Sequence, residues 1–285
     1  MKTPKALLPL FDDGIIDTVV SRLQSGKEAT VYIVTSGSST RCAKVYKHSQ
    51  QRSFHKAAEY TEGRKPRGSR NARAAGKRTR YGRKVQEAEW KNAEVDALYK
   101  LYGADVRVPK PFGVFDGVLL MELVLDADGR PAPRLGEIEM TATQAVEWHA
   151  FMIRQVVRML CVGLIHGDLS EYNVLMGPEG PVIIDLPQAV DAAGNNNAFR
   201  MLARDVNNLR ATFGRVAPEL LEAEYALEIW GLFEAAELAP ETPLTGLFTR
   251  DETAPDVDAV LDQIEEARQE AEARQRGREQ AEEDS

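Results

Sequence analysis

An aspartate and an asparagine stand five residues apart in His166-Gly-Asp168-Leu-Ser170-Glu-Tyr-Asn173, and a further aspartate follows in Ile183-Ile-Asp185. These residue types suit phosphoryl transfer to a hydroxyl. One carboxylate must take the proton of the attacking group, and metal ions must neutralise the phosphates. Hard cations want oxygen ligands, which a carboxylate and an amide supply. Asp168 fits the base. Asn173 and Asp185 fit the metal ligands.

Upstream, Cys42-Ala-Lys44-Val-Tyr places a lysine inside an apolar strand. It resembles the strand lysine that pairs with the α- and β-phosphates of ATP in kinases. Its carboxylate partner is expected on the next long helix. Glu94 is the choice because it neighbours the apolar positions Val95, Leu98 and Leu101; Glu87 and Glu89 are rivals. Ser25-Gly26-Lys27 forms a loop ahead of the first strand and leads on to Val31. Backbone N–H groups of such a loop could cover phosphates, although it holds one glycine rather than three. Met121, Glu122 and Val124 fall where a hinge would hold adenine, through backbone groups of Glu122 and Val124 with Met121 lining the pocket.

The elements that must position these groups follow from pattern. Ile15, Ile16, Val19, Val20 and Leu23 read as a short amphipathic helix. Residues 29–35 and 41–46 read as a hairpin, and 111–114 with 118–123 as a second, turning at Asp116-Gly117. Helical pattern covers 52–62 and about 83–101, and a long helix over 141–162 is capped by Thr141 or Thr143. Short strands are expected at 173–176 and 182–185, then helices to the end. The strand-rich half precedes the helix-rich half, which argues for an α+β chain in two lobes.

Composition bounds the rest. With 285 residues, 43 % hydrophobic and 28 % charged, the chain is ordinary globular material rather than a fibrous or disordered one. Its most apolar stretch, 118–125, contains Glu122 and is far short of the roughly 20 residues of a membrane span. No secretory signal is read, and Cys42 and Cys161 read as buried thiols in a reducing compartment, so a cytoplasmic location is expected. The formal net charge is −8, from 36 basic and 44 acidic residues. Between Arg52 and Lys84, however, twelve basic residues face two acidic ones, a local +10 that leaves −18 elsewhere. Such a block suits phosphates of nucleic acid or nucleotide. Residues 255–276 read as a helix, followed by an acidic tail.

Together SGKEATVY, AKVYK, HGDLSEYNVL and IIDLPQAVD resemble the RIO-type atypical protein kinases, over about Ser25 to Arg215. The resemblance implies a two-lobed, protein-kinase-like α+β fold with a trimmed C-terminal lobe that lacks an activation segment. It implies binding of ATP with Mg²⁺ or Mn²⁺. Asp168 would be the catalytic base, Asn173 and Asp185 the metal ligands, and Lys44 the phosphate-binding lysine. Family members are described as Ser/Thr kinases and as ATPases that phosphorylate their own metal-site aspartate, here Asp185. Ribosomal RNA or a pre-ribosome is an implied partner for the basic segment; the protein substrate is unknown. The expected organisation is 1–24 as a helical extension, 25–124 as the N-lobe with a basic insertion at about 49–82, 125–240 as the C-lobe, and 241–285 as a helix and tail. Gly167 departs from the arginine usual before the catalytic aspartate. Ala217-Pro218-Glu219 imitates the end of an activation segment, but Pro218 reads as the first turn of a helix. A small-molecule kinase of the aminoglycoside-phosphotransferase type and an ATP-gated RNA-binding switch are the competing readings.

Overall fold

The computed structural model describes residues 3–26, 28–47 and 93–247. These divide into two compact units. The first holds the described residues up to 132 together with 184–187; the second holds 133–183 and 188–247. Lys27, the basic segment 52–84, the start of the 83–101 helix with Glu87 and Glu89, and the 255–276 helix lie outside the described residues.

The first unit is built on an antiparallel sheet of β1 (Thr18–Ser25), β2 (Ala29–Ser36), β3 (Ser39–Tyr46), β4 (Pro111–Phe115) and β5 (Val118–Glu122), in the order β1-β2-β3-β5-β4. Apolar residues cover both faces. Val34, Ala43, Val118 and Leu120 pack with Leu7, Leu10 and Ile16 of the N-terminal segment, which includes α1 (Leu8–Asp12). Ile33 and Cys42 pack with Leu123 on the other face, beside Val31, Met121 and Leu125. Burial on both sides explains why β5 reads as one continuous apolar run. The helix α2 spans residues 93–103.

The helix expected at 15–23 is not formed; the segment enters β1 instead. Its apolar positions are mostly β-branched, which favours the extended chain. Of them only Ile16 is fully buried, while Val20 and Leu23 are exposed on a strand that pairs with β2 through its backbone. Residues 18–24 are therefore part of the sheet rather than of a helical extension.

The first unit also runs past residue 124. Leu125 bridges Pro131, and the Ala132 N–H returns to the Val124 carbonyl at 3.0 Å.

The second unit packs α3 (Ala142–Cys161), α4 (Ala198–Gly214) and α5 (Tyr225–Glu234) around Met152, Leu160, Leu202, Leu209 and Phe213. Thr141 caps α3 in a reciprocal box with Gln144, whose N–H reaches Thr141 Oγ1 at 3.2 Å. Two small antiparallel pairs complete it: the hairpin of β7 (Val174–Gly177) with β8 (Gly180–Ile183), and the non-sequential pair of β6 (Leu164–Ile165) with β9 (Val190–Asp191). The pair β6–β9 was not expected, because two-residue strands leave no periodicity to read. Asn173 ends a 3-10 turn ahead of β7, and Asp185 lies two residues beyond β8, rather than inside the strands. Pro218 opens a 3-10 helix, Pro218–Glu222. Among the described residues no helix is long and apolar enough to cross a membrane.

Candidate functional site

In the first unit, alternation along β3 places Lys44 on the same face as Cys42. Its ammonium bonds Glu94 of α2 and lies 3.2 Å from Asp185 Oδ1. Lys44 and Glu94 are nearly buried, at 11 % and 7 % side-chain exposure, whereas Asp185 is half exposed at 51 %. Burial alone would lower the lysine pKa. The carboxylates of Glu94 and Asp185 outweigh it and hold the pKa above its ordinary value. Lys44 therefore remains a fixed cation facing an open carboxylate. Asp185 has a backbone φ of +66°, uncommon for a residue with a side chain.

The Ser25-Gly26 loop is a tight turn between β1 and β2. The Gly26 N–H closes on the Ala29 carbonyl at 3.0 Å, so this donor is spent inside the turn. Lys47 Nζ reaches Ser25 Oγ at 3.1 Å and the Gly26 carbonyl at 2.6 Å. Sequence reading passed over Lys47, although it follows Lys44 by three residues in AKVYK. Val31 is the register partner of Lys44, and Met121 that of Cys42.

At the end of β5 the Glu122 N–H donates to the Lys110 carbonyl at 2.8 Å. Its carboxylate takes two parallel bonds from Arg107, at 2.9 and 3.0 Å, and a third from the Lys110 N–H at 3.0 Å. Burial opposes this charge, but Arg107 and the Lys110 N–H hold the Glu122 carboxyl below the usual carboxylate range. Val124 is buried, and among the described residues its N–H meets no protein acceptor.

In the second unit, α4 grips the loop that carries Asp168. Asp205 accepts the Gly167 N–H at 2.7 Å on one oxygen and the Leu169 N–H at 2.8 Å on the other. Arg204 donates to the Gly167 carbonyl, and Asn208 Nδ2 donates to the Leu169 carbonyl at 2.8 Å. The loop is thus bonded on both sides of Asp168. Gly167 has φ +80°, which explains a glycine at this point of the loop. Burial pushes the Asp205 carboxyl up, against His166, Arg204 and the two N–H groups, which pull it down. Asn173 Nδ2 donates to the Asp168 carbonyl at 2.8 Å, which leaves its carbamoyl oxygen as the atom able to ligate. Glu171 is held by Thr212 and by Arg215 at 2.7 Å.

Sequence reading missed Arg204, Asp205 and Asn208. Leu202, Val206 and Leu209 form the apolar stripe of α4, and Asp205 falls within it. A carboxylate on an apolar stripe, 1 % exposed, is a buried charge that needs partners. That was the available signal.

Among the described residues no three His, Cys, Asp or Glu side chains cluster as a metal site. Asn173 Oδ1 in the second unit and the Asp185 carboxylate in the first are each a hard oxygen donor, the ligand type that Mg²⁺ takes.

Residues 30–226 match the model of the RIO domain. The chain is 35 % identical over 212 residues to the RIO-type serine/threonine-protein kinase Rio1 of Haloferax volcanii, covering 74 % of this chain and 68 % of that protein. It is 29 % identical over 226 residues to the human serine/threonine-protein kinase RIO1, covering 75 % of this chain but 36 % of the longer relative. Its fold is similar to that of the Rio2 kinase of Chaetomium thermophilum, solved as an ADP/Mg²⁺-phosphoaspartate complex. The TM-score is 0.54 at 20 % identity, over 94 % of this chain and 75 % of that one. The mixed, protein-kinase-like fold that the resemblance implies is the fold this likeness shows.

Proposed function

The chain belongs to the RIO domain family, and on that premise we propose that it is an ATP-dependent serine/threonine kinase that transfers the γ-phosphoryl group. The observation that carries this reading is Lys44 bonded to Glu94 with Asp185 at 3.2 Å. Phosphoryl transfer in kinases needs a strand lysine paired with a helix glutamate, and a carboxylate for the metal.

In this reading Lys44 binds the α- and β-phosphates. Ser25, Gly26 and Val31 lie over the nucleotide, and the Glu122 carbonyl and Val124 N–H take the adenine edge beside Met121. Asn173 and Asp185 would each offer an oxygen ligand to Mg²⁺ or Mn²⁺, and the cation when bound would neutralise phosphate charge. Asp168 accepts the proton of the attacking hydroxyl, and the bonds from α4 fix its loop before substrate arrives. Such preorganisation favours the transition state because nothing has to reorient during reaction.

A second acceptor is Asp185 itself, since the related Rio2 kinase was solved with a phosphoaspartate. An Asp185 oxygen would form the new bond to phosphorus as the β,γ-bridging bond breaks and ADP leaves. Water would then hydrolyse the acyl phosphate, with Asp168 taking its proton. The family match supports these readings over a small-molecule kinase. A cytoplasmic location, which rests on composition, and ribosomal RNA as partner of the basic segment 52–84, which rests on the family resemblance together with the local charge, belong to the same proposal.

Incubation with γ-labelled ATP and Mg²⁺ or Mn²⁺ tests it. Acid-stable, hydroxylamine-resistant label that vanishes in Asp168→Asn means Ser/Thr transfer. Hydroxylamine-labile label lost in Asp185→Asn means the acyl phosphate. Neither label nor phosphate release, with ATP bound, overturns both and leaves a nucleotide-gated switch.

A further inference from the structure

The Arg107–Glu122 contact is a fork-to-fork ion pair of a kind that fixes geometry as well as charge. Both partners are half-buried, Arg107 at 31 % and Glu122 at 30 % side-chain exposure, and Arg107 Nη1 also donates to the Val108 carbonyl at 3.1 Å. The segment that presents it is stiff. Val106 and Val108 on either side are buried at 3 % and 1 %, and Pro109 and Pro111 restrict the chain on both sides of Lys110. Lys110 in turn binds Glu122 twice, through its carbonyl and through its N–H. Four hydrogen bonds therefore tie one residue, at the end of β5, to a rigid strap.

Glu122 is two residues before Val124. An ordinary strand end frays, but this one cannot move without breaking the fork. We propose that Arg107 is a positioning residue for nucleotide binding: through Glu122 it fixes the backbone that receives the base. This rests on the reading of Glu122 and Val124 as the adenine edge. A residue acting at the base end has a distinct signature. It weakens adenosine and ATP by the same factor, whereas a residue acting at the phosphates weakens ATP alone.

Calorimetric titration of the full chain with ATP and with adenosine tests this, comparing wild type, Arg107→Met and Arg107→Lys. Arg107→Met is expected to bind both ligands about tenfold more weakly, the scale of one lost charge-assisted bond. Arg107→Lys is expected to recover part of that loss, because an ammonium gives one bond where the guanidinium gives two. Adenosine affinity unchanged in a folded Arg107→Met, or a loss confined to ATP, overturns the proposal. If Arg107→Met does not fold, Arg107→Lys decides: about threefold weaker adenosine binding supports the proposal and wild-type affinity overturns it. Failure of the wild type to bind either ligand would instead sink the nucleotide reading.

Discussion

Asp205 accepts the Gly167 N–H at 2.7 Å, one residue before the candidate base, Asp168. Its other oxygen serves Leu169, one residue after. Asp205→Ala would leave two buried N–H groups without acceptors, a cost on the order of 2–5 kcal/mol. Asp205→Asn keeps one acceptor but turns an amide donor towards the other N–H. It is expected to fold with a lowered melting temperature and to lose phosphoryl transfer by about a hundredfold, because Asp168 loses its fixed position. Thermal denaturation alongside labelled-ATP assays separates the two effects; full activity in Asp205→Asn would contradict the role.

Asp185 sits at φ +66°. Asparagine tolerates that conformation and a β-branched residue does not. Asp185→Asn should therefore melt within a few degrees of wild type while losing phosphoryl transfer, whereas Asp185→Val should be destabilised by on the order of 1–2 kcal/mol. Comparing the two melting curves tests the backbone argument independently of chemistry. Equal stability would show that the backbone relaxes freely there.

His149 gives the pH dependence. It is buried in α3 against Phe213 and Tyr225, and among the described residues its Nε2 meets no hydrogen-bond partner. Burial, with the Arg210 charge nearby, lowers its pKa from 6.5 to about 4. Between those values the unfolded chain binds a proton that the folded one refuses, so stability falls as pH drops from 6.5 towards 4. His149→Phe keeps a ring in place and removes the titration. It should flatten the loss of urea resistance between pH 7 and pH 5 by on the order of 2 kcal/mol. An unchanged slope would mean that other groups carry the acid sensitivity.

The parts of the site that were legible in the sequence are those whose type contradicts their surroundings. Lys44 stands in an apolar strand, and Asp168, Asn173 and Asp185 stand close in sequence to short apolar strands. Glu94 was harder, because glutamates are ordinary on helices and only its place beside Val95 and Leu98 set it apart. Asp205 showed only as a carboxylate on an apolar stripe, and Arg107 grips the carboxylate of Glu122 fifteen residues away, a pairing that no local pattern marks. The same holds for β1. Its apolar spacing fits a helix as well as a strand over so few residues, and only pairing with β2 decides between them.

The N-terminal segment carries one more consequence. The match to the family model begins at residue 30, one residue inside β2, yet Leu7, Leu10 and Ile16 are fully buried against that sheet and β1 shields its edge. The unit that folds is therefore wider than the stretch the model matches. A protein trimmed to that stretch would bare one apolar side of its sheet and offer β2 as an unguarded edge for pairing between molecules.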